Sequence, residues 1–239
     1  FTDGAELLDF NKLKHCSYGS RQVVSSDRWA CVGEAAFFLD PFYSPGADYI
    51  AYTNTIACEL VQLDRKGKLT DQIADTYNEF LLKSMWPNFL AMYRNNYTVF
   101  GNAPVMFTKV VWDTSFYWGL PSQLLFRRLI TEPQALQEFR PIAERFHAIQ
   151  QNMQQCFRDW SQFAKGPDSY VFVEYSKVPL CAELHLDLLK DKSADHCFKD
   201  MRRTVDRMEE WCGRLMGQVY GASVGAAQPA ETPALSLTI

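Results

Sequence analysis

Residues Gly33, Glu34, Pro41, Ser44, Pro45, Gly46 and Ala47 lie within one stretch, Cys31 to Asp48, where an apolar segment gives way to a helix. These types at this spacing suit the binding of a long polar ligand with a flat end. Gly33 has no Cβ, so backbone can approach a phosphate or a sugar-alcohol chain closely. Glu34, at the carboxyl end of the apolar segment Trp29 to Val32, can accept hydrogen bonds from hydroxyls, and the charge strengthens them. Pro41 stiffens the loop, and Ser44-Pro45-Gly46 opens the helix that continues from about Ala47. The unpaired amides and positive end of that helix point back at the loop and favour an electron-rich ring edge.

The segment resembles the second FAD-binding motif of the flavin-dependent aromatic hydroxylase superfamily, which reads roughly Gly-Asp-Ala-Ala, then Pro, then Gly before a helix. Its longer form, Asp40-Pro41-Phe42 with Ser44-Pro45-Gly46, is similar to the halogenase-like branch, the tryptophan-halogenase-like oxidoreductases. The match runs from Lys14 to about Val61. Glu34 stands where the family usually has Asp, one methylene further out. The resemblance implies FAD as cofactor, with Gly33 and Glu34 at its ribityl or phosphate groups and Pro41 and Ser44 to Ala47 walling the isoalloxazine. It also implies that amides near Ser44 to Gly46 border the flavin's reactive face, where a halide could sit, although Pro45 contributes no donor. His15 lies in a strand that the family places near the cofactor. The lysine and the Trp-x-Trp-x-Ile-Pro segment that the halogenases use have no counterpart among these residues; Trp86-Pro87 and Trp112 do not form it.

The first FAD motif, Gly-x-Gly-x-x-Gly, is also missing, and the chain begins at Phe1. The expectation is therefore a C-terminal piece of a longer flavoprotein that would bind FAD weakly or not at all by itself. A degenerate homologue that has lost its nucleotide fold is the other reading.

Composition is that of an ordinary globular chain of 239 residues, with 47% apolar and 22% charged residues. A net charge of −4 and the absence of a basic run argue against nucleic acid as partner. Apolar stretches are too short to span a bilayer, so no membrane span is expected. Seven cysteines without framework spacing suit free thiols in a reducing, cytoplasmic setting.

The fold class expected is an α/β fragment, mostly α. Short strands at His15 to Val24 and Arg28 to Val32 would belong to an incomplete FAD-binding sheet, and a helical C-terminal region follows. Residues 1–66 would form the C-terminal part of the FAD-binding domain, 67–220 a helical substrate or cover region, and 221–239 a disordered tail rich in Ala, Pro, Gly and Thr. Apolar residues at three- and four-residue spacing put one helix from Ala47 to about Lys66-Gly67 and another from Thr70, its N-cap. Pro87 should kink or break the second. An aromatic-rich segment, Val105 to Phe126, is interrupted at Gly119-Leu120-Pro121. Thr131 and Pro133 open the clearest helix, with Phe139, Ile142, Phe146, Ile149, Met153, Phe157, Trp160 and Phe163 on one stripe. Gly166-Pro167 closes it, and helices near Leu180 to Lys190 and Cys197 to Tyr220 complete the chain.

Between Trp86 and Trp118 the aromatic residues Phe89, Tyr93, Tyr97, Phe100, Phe107, Trp112, Phe116 and Tyr117 crowd together. Most should pack the core, but the density is enough for part of the cluster to line a pocket for a flat substrate. Cys181-x-x-x-His185 and His196-Cys197 are spaced too loosely for a structural zinc site, so no metal is expected. The function expected is an FAD-dependent monooxygenase or halogenase acting on an aromatic or polyketide-like small molecule. The halogenase resemblance implies that a separate flavin reductase could be its electron donor. The alternatives are a non-catalytic helical binding module that keeps the loop as a relic and an FAD-dependent isoprenoid reductase.

Overall fold

The computed structural model describes residues 4, 6, 8–12, 16–165 and 174–225. His15, Gly166-Pro167 and the segment 226–239 lie outside the described residues. The rest is a mostly helical fold with a small antiparallel ladder near its N-terminus.

That ladder pairs β1 (Val24–Ser25) with β2 (Trp29–Ala30), Val24 opposite Ala30 and Ser25 opposite Trp29. Tyr18 adds an isolated bridge to Phe38, exchanging both backbone hydrogen bonds at 3.0 and 2.9 Å. The two strands are thus shorter than the sequence pattern suggests, because other groups take over the backbone pairing. The Asn78 side chain accepts from the amides of Val23 (2.8 Å) and Val24 (3.1 Å) and donates to the Val24 carbonyl (2.9 Å). One side-chain amide does here what a neighbouring strand would do. On the other strand, Gly33 turns the chain with φ of +60°, a left-handed value that favours glycine.

The helices follow the apolar periodicity. α1 (Pro45–Arg65) buries Tyr49, Tyr52, Ile56 and Leu60. α2 (Asp71–Glu79), which carries Asn78, is capped by Thr70, whose hydroxyl accepts from the Ile73 amide at 3.3 Å. Pro87 does not break the path. The chain widens into a π-helical turn over Phe80–Met85, in which the Trp86 amide reaches back to the Leu81 carbonyl, and continues as α3 (Trp86–Tyr93). Extra room in the wide turn accommodates a proline that lacks a donor and crowds the preceding turn.

α4 (Ala103–Gly119) and α5 (Pro121–Phe126) meet at Leu120, where the sequence places the interruption. Gly119 is required there by close approach, since a Cβ would stand 2.6 Å from Thr204 Cγ2. α6 (Pro133–Ser161) is capped at Glu132 rather than Thr131 and buries Phe139, Ile142, Phe146, Ile149, Met153 and Phe157. Phe163 falls beyond its end and is exposed. α6 packs along α8 (Ala194–Gly225) and against α3 and α4, while α7 (Pro179–Asp187) packs on α4. At the centre, the Phe116 and Phe146 rings stack at 4.8 Å, and Trp112 lies 6.0 Å from Phe146 and donates to Gln150 Oε1. All seven cysteines are free thiols.

Candidate functional site

The loop before α1 is held in an unusual shape. Asp40 accepts from the Phe42 amide at 2.8 Å and from the Tyr97 hydroxyl at 2.5 Å, which fixes its start. Tyr43 and Ser44 then both adopt left-handed backbone, with φ of 64° and 56°. Two consecutive non-glycine residues in that region cost conformational energy, and such costs cluster at functional sites. The strained pair turns the Tyr43 ring inward, edge-on to Tyr93 at 6.2 Å, and leads directly into Pro45, the first residue of α1.

Beneath the turn lies a cleft of about 290 Å³. Tyr43, Ser44, Ala47 and Asp48 border it from the loop and the first turn of α1. Phe89, Met92 and Tyr93 line it from α3, Asp113, Thr114, Tyr117 and Trp118 from α4, and Tyr175 closes one edge. The volume is near the lower end for small-molecule sites and the walls are largely aromatic.

The polar groups of the cleft are few and distinct. The Tyr117 hydroxyl donates to Asp48 Oδ1 at 2.7 Å. Burial nevertheless pushes the Asp48 carboxyl up to about 6, with the Tyr117 hydrogen bond opposing the shift. Asp113 is buried and paired with the fully buried Lys109 one turn earlier, and it also accepts from Gln154 Nε2 at 2.8 Å. Burial drives the Asp113 carboxyl up and the Lys109 ammonium down, while the pair's mutual attraction works against both shifts. The Tyr43 hydroxyl is buried beside Asp113, and burial and that carboxylate raise it above the ordinary phenol range, while the Tyr93 hydroxyl is buried without a hydrogen-bond partner among the described residues. So are those of Tyr49 and Tyr52, just behind the cleft on α1. Unsatisfied buried hydroxyls of this kind are costly and rare; Tyr43 and Tyr93 line the cleft, but their hydroxyl oxygens are closed off from it.

A stretch of 118 residues, 48% of this chain, is 24% identical to a flavin-dependent halogenase, chlA, of Dictyostelium discoideum. That relative is a flavoenzyme by name. The match covers 19% of its length, so this chain corresponds to a small part of it. No family model matches the chain, and no solved structure matches it.

The residues singled out in the sequence do not all meet at the cleft. Ser44 and Ala47 line it; Gly33, Glu34, Pro41, Pro45 and Gly46 do not. Gly33 is buried against α1, its amide donates to Thr53 Oγ1 at 2.6 Å, and a Cβ there would stand 3.2 Å from Ile50. Glu34 is exposed, with its carboxylate against Gly46 at the start of α1. Pro41 is exposed and Pro45 buried. The dense aromatic run divides: Trp112 and Phe116 pack the core, whereas Phe89, Tyr93, Tyr117 and Trp118 line the cleft. Of the possible metal ligands, Cys181 and Cys197 are buried, His185 stacks on Trp118 and His196 bonds Ser193. Asp48 and the Lys109–Asp113 pair are charged groups at or behind the cleft that the sequence did not single out. Asp48 stands immediately after the flavin-type loop, and Lys109 and Asp113 share one helical face, a signal easily dismissed as a solvent-exposed pair.

Among the described residues no helix is long and apolar enough to cross a membrane.

Proposed function

We propose that this chain is part of an FAD-dependent oxidoreductase of the halogenase or monooxygenase type acting on an aromatic or polyketide-like small molecule. The observation that carries this reading is the left-handed Tyr43-Ser44 turn that delivers Ser44 and Ala47 to the mouth of an aromatic cleft. The partial likeness to a flavin-dependent halogenase points the same way.

The residues present fit a flavin in part. Ser44 and Ala47 would edge the isoalloxazine, Pro41, Pro45 and Gly46 would shape the turn behind it, and Glu34 would take the ribityl hydroxyls. Gly33 contributes the turn rather than a free amide, since Thr53 uses that donor. When bound, a reduced flavin supplies the reaction with oxygen. The chain itself positions: α3 and α4 would hold a flat ring under the loop, and the half-buried Asp48 could hold or release a proton there. FAD's adenosine and pyrophosphate would rest mainly on residues outside this chain, and a flavin reductase would supply electrons.

Protein expressed from the full reading frame should be yellow, with flavin absorbance that survives desalting. Gly46→Leu, which fills the turn, should strip that colour while the helical circular dichroism is kept. A colourless wild-type protein overturns the proposal and leaves a helical binding module in its place.

A further inference from the structure

A second hollow, a groove of about 400 Å³, lies between α3 and α6 and shares no lining residue with the cleft. Arg94, His147, Gln151 and Arg158 border it, with Leu90 and Ala91 as an apolar flank on α3. No carboxylate lines it, in a chain whose net charge is −4. Its two arginines also differ from their neighbours. On the same helix as Arg158, Arg140 meets Glu79 and Glu144, and Arg145 meets Asp206 and Glu209. Neither Arg94 nor Arg158 has an ion-pair partner among the described residues.

Arg158 is nevertheless fixed in place. Its Nη1 donates to Asn96 Oδ1 at 3.1 Å and to the Arg94 carbonyl at 3.4 Å, and its Nη2 donates to Gln155 Oε1 at 2.6 Å. Asn96 is fully buried, and its own amide donates to Gln154 Oε1 at 2.9 Å. These acceptors are all neutral, so the guanidinium is held without being neutralised, and part of its donor fork stays free. Burial pulls it below the ordinary guanidinium range, with Asp159 and Tyr220 opposing the shift. Asp159 already accepts from Gln155 Nε2 at 2.8 Å and from the Tyr220 hydroxyl at 2.9 Å. A half-buried charge held this way is costly unless an anion completes it. The negative end of α3 arrives at the same place, but its carbonyls are occupied: the Arg94 amide caps Leu90, and Asn96 Nδ2 reaches Ala91 and Met92. His147 adds a free ring edge. Asn88 Nδ2 donates to the Ser84 and Ala143 carbonyls, so Asn88 Oδ1 accepts from His147 Nδ1, and Nε2 is left without a partner among the described residues.

We propose that the groove between α3 and α6 binds the phosphoryl group of a small phosphate monoester, gripped by Arg94 and Arg158, with the ester's apolar part along Leu90 and Ala91. A dianionic tetrahedral group offers acceptors to both guanidinium forks at once, where a carboxylate offers fewer oxygens and a single charge. The volume exceeds what a bare phosphate needs and leaves room for an organic arm. The site is independent of the flavin reading, since no residue of the loop before α1 lines it.

The test titrates the 239-residue chain with phenyl phosphate, inorganic phosphate and benzoate at one fixed ionic strength. Binding is read by calorimetry and by the ring NMR signals of His147, which His147→Gln identifies. Phenyl phosphate should move those signals and bind at least about tenfold tighter than benzoate and about threefold tighter than inorganic phosphate. Arg158→Gln should weaken phenyl phosphate by about tenfold, and Arg94→Gln, at an exposed position, by about threefold. Arg65→Gln, exposed at the end of α1, should leave the affinity unchanged. Absence of binding, benzoate or inorganic phosphate binding as tightly as phenyl phosphate, His147 signals that do not move, or an equal loss in Arg65→Gln would each overturn the proposal. If Arg158→Gln loses its helical circular dichroism, Arg94→Gln alone decides, and unchanged affinity in that variant overturns the proposal.

Discussion

The Glu34 carboxylate rests on the Cα of Gly46, so closely that a Cβ at Gly46 would fall 2.1 Å from Glu34 Oε1 and 2.9 Å from Cδ. The two residues, twelve apart in sequence, lock the turn after β2 onto the first turn of α1. Gly46 has ordinary negative φ, so its value is closeness, not conformational freedom. An alanine there would stabilise the helix intrinsically but must push an exposed, flexible carboxylate aside. Gly46→Ala should therefore change stability by less than about 1 kcal/mol, while Gly46→Ala with Glu34→Ala should be more stable than the sum of the single changes. Chemical denaturation of the four proteins checks this. Additive single changes would show that the contact is absent in solution.

The Lys109–Asp113 pair makes the opposite prediction, a large effect from one side chain. Both groups are buried, and Asp113 takes a further bond from Gln154, itself bonded by Asn96 Nδ2 at 2.9 Å. Lys109→Met leaves a buried carboxylate without its cation and should cost about 3–5 kcal/mol. Lys109→Met with Asp113→Leu removes both charges and should recover much of that loss. Urea unfolding distinguishes the two, and equal stability of single and double variants would refute the pairing.

Local chemistry in this chain was readable where it answers to one helix alone. Phe139, Ile142, Phe146, Ile149, Met153 and Phe157 are buried as their spacing implies, Thr70 caps α2, and Leu120 separates α4 from α5. What the sequence does not display is partnership at a distance. Among the described residues the Tyr18 backbone pairs only with Phe38, and β1 borrows its hydrogen bonds from Asn78, 54 residues later, so neither strand extends as its β-branched content suggests. The cleft is hidden for the same reason. Ser44 and Ala47 are marked by the loop motif, but Tyr93 and Tyr117 acquire meaning only when α3 and α4 bring them beneath it.

Asn78 can be tested directly. Asn78→Ala removes three hydrogen bonds and leaves the Val23 and Val24 amides and the Val24 carbonyl unpaired at a partly buried site. The cost should be about 1–3 kcal/mol. Asn78→Asp keeps the acceptor for the two amides but not the donor, and should lie between wild type and Ala. Amide hydrogen exchange should show the loss first at Val23 and Val24; unchanged protection there would show that the ladder stands without this side chain.

Asp48 links stability to pH in a direction unusual for a carboxylate. Its carboxyl is raised from 3.8 to about 6 because burial penalises the charge, while Tyr117 hydrogen-bonds the charged form and partly offsets it. Tyr49 and Tyr52 on its own helix, Tyr93 on α3 and Tyr117 on α4 are the titratable groups that sense its charge, and each of them is pushed above the ordinary phenol range, so they stay neutral as Asp48 ionises. Between pH 3.8 and about 6 the folded state therefore holds a proton at this site that the unfolded state releases. The contribution of Asp48 is fully present below pH 3.8 and is lost as pH rises through about 6. Its size is on the order of 2 kcal/mol. Asp48→Asn, neutral at every pH, should remove that component: the stability difference between variant and wild type should move in the variant's favour from pH 4 to 7 and then level off. Parallel stability curves for the two proteins across that range would show that the carboxylate is solvated and the cleft more open than the structure has it.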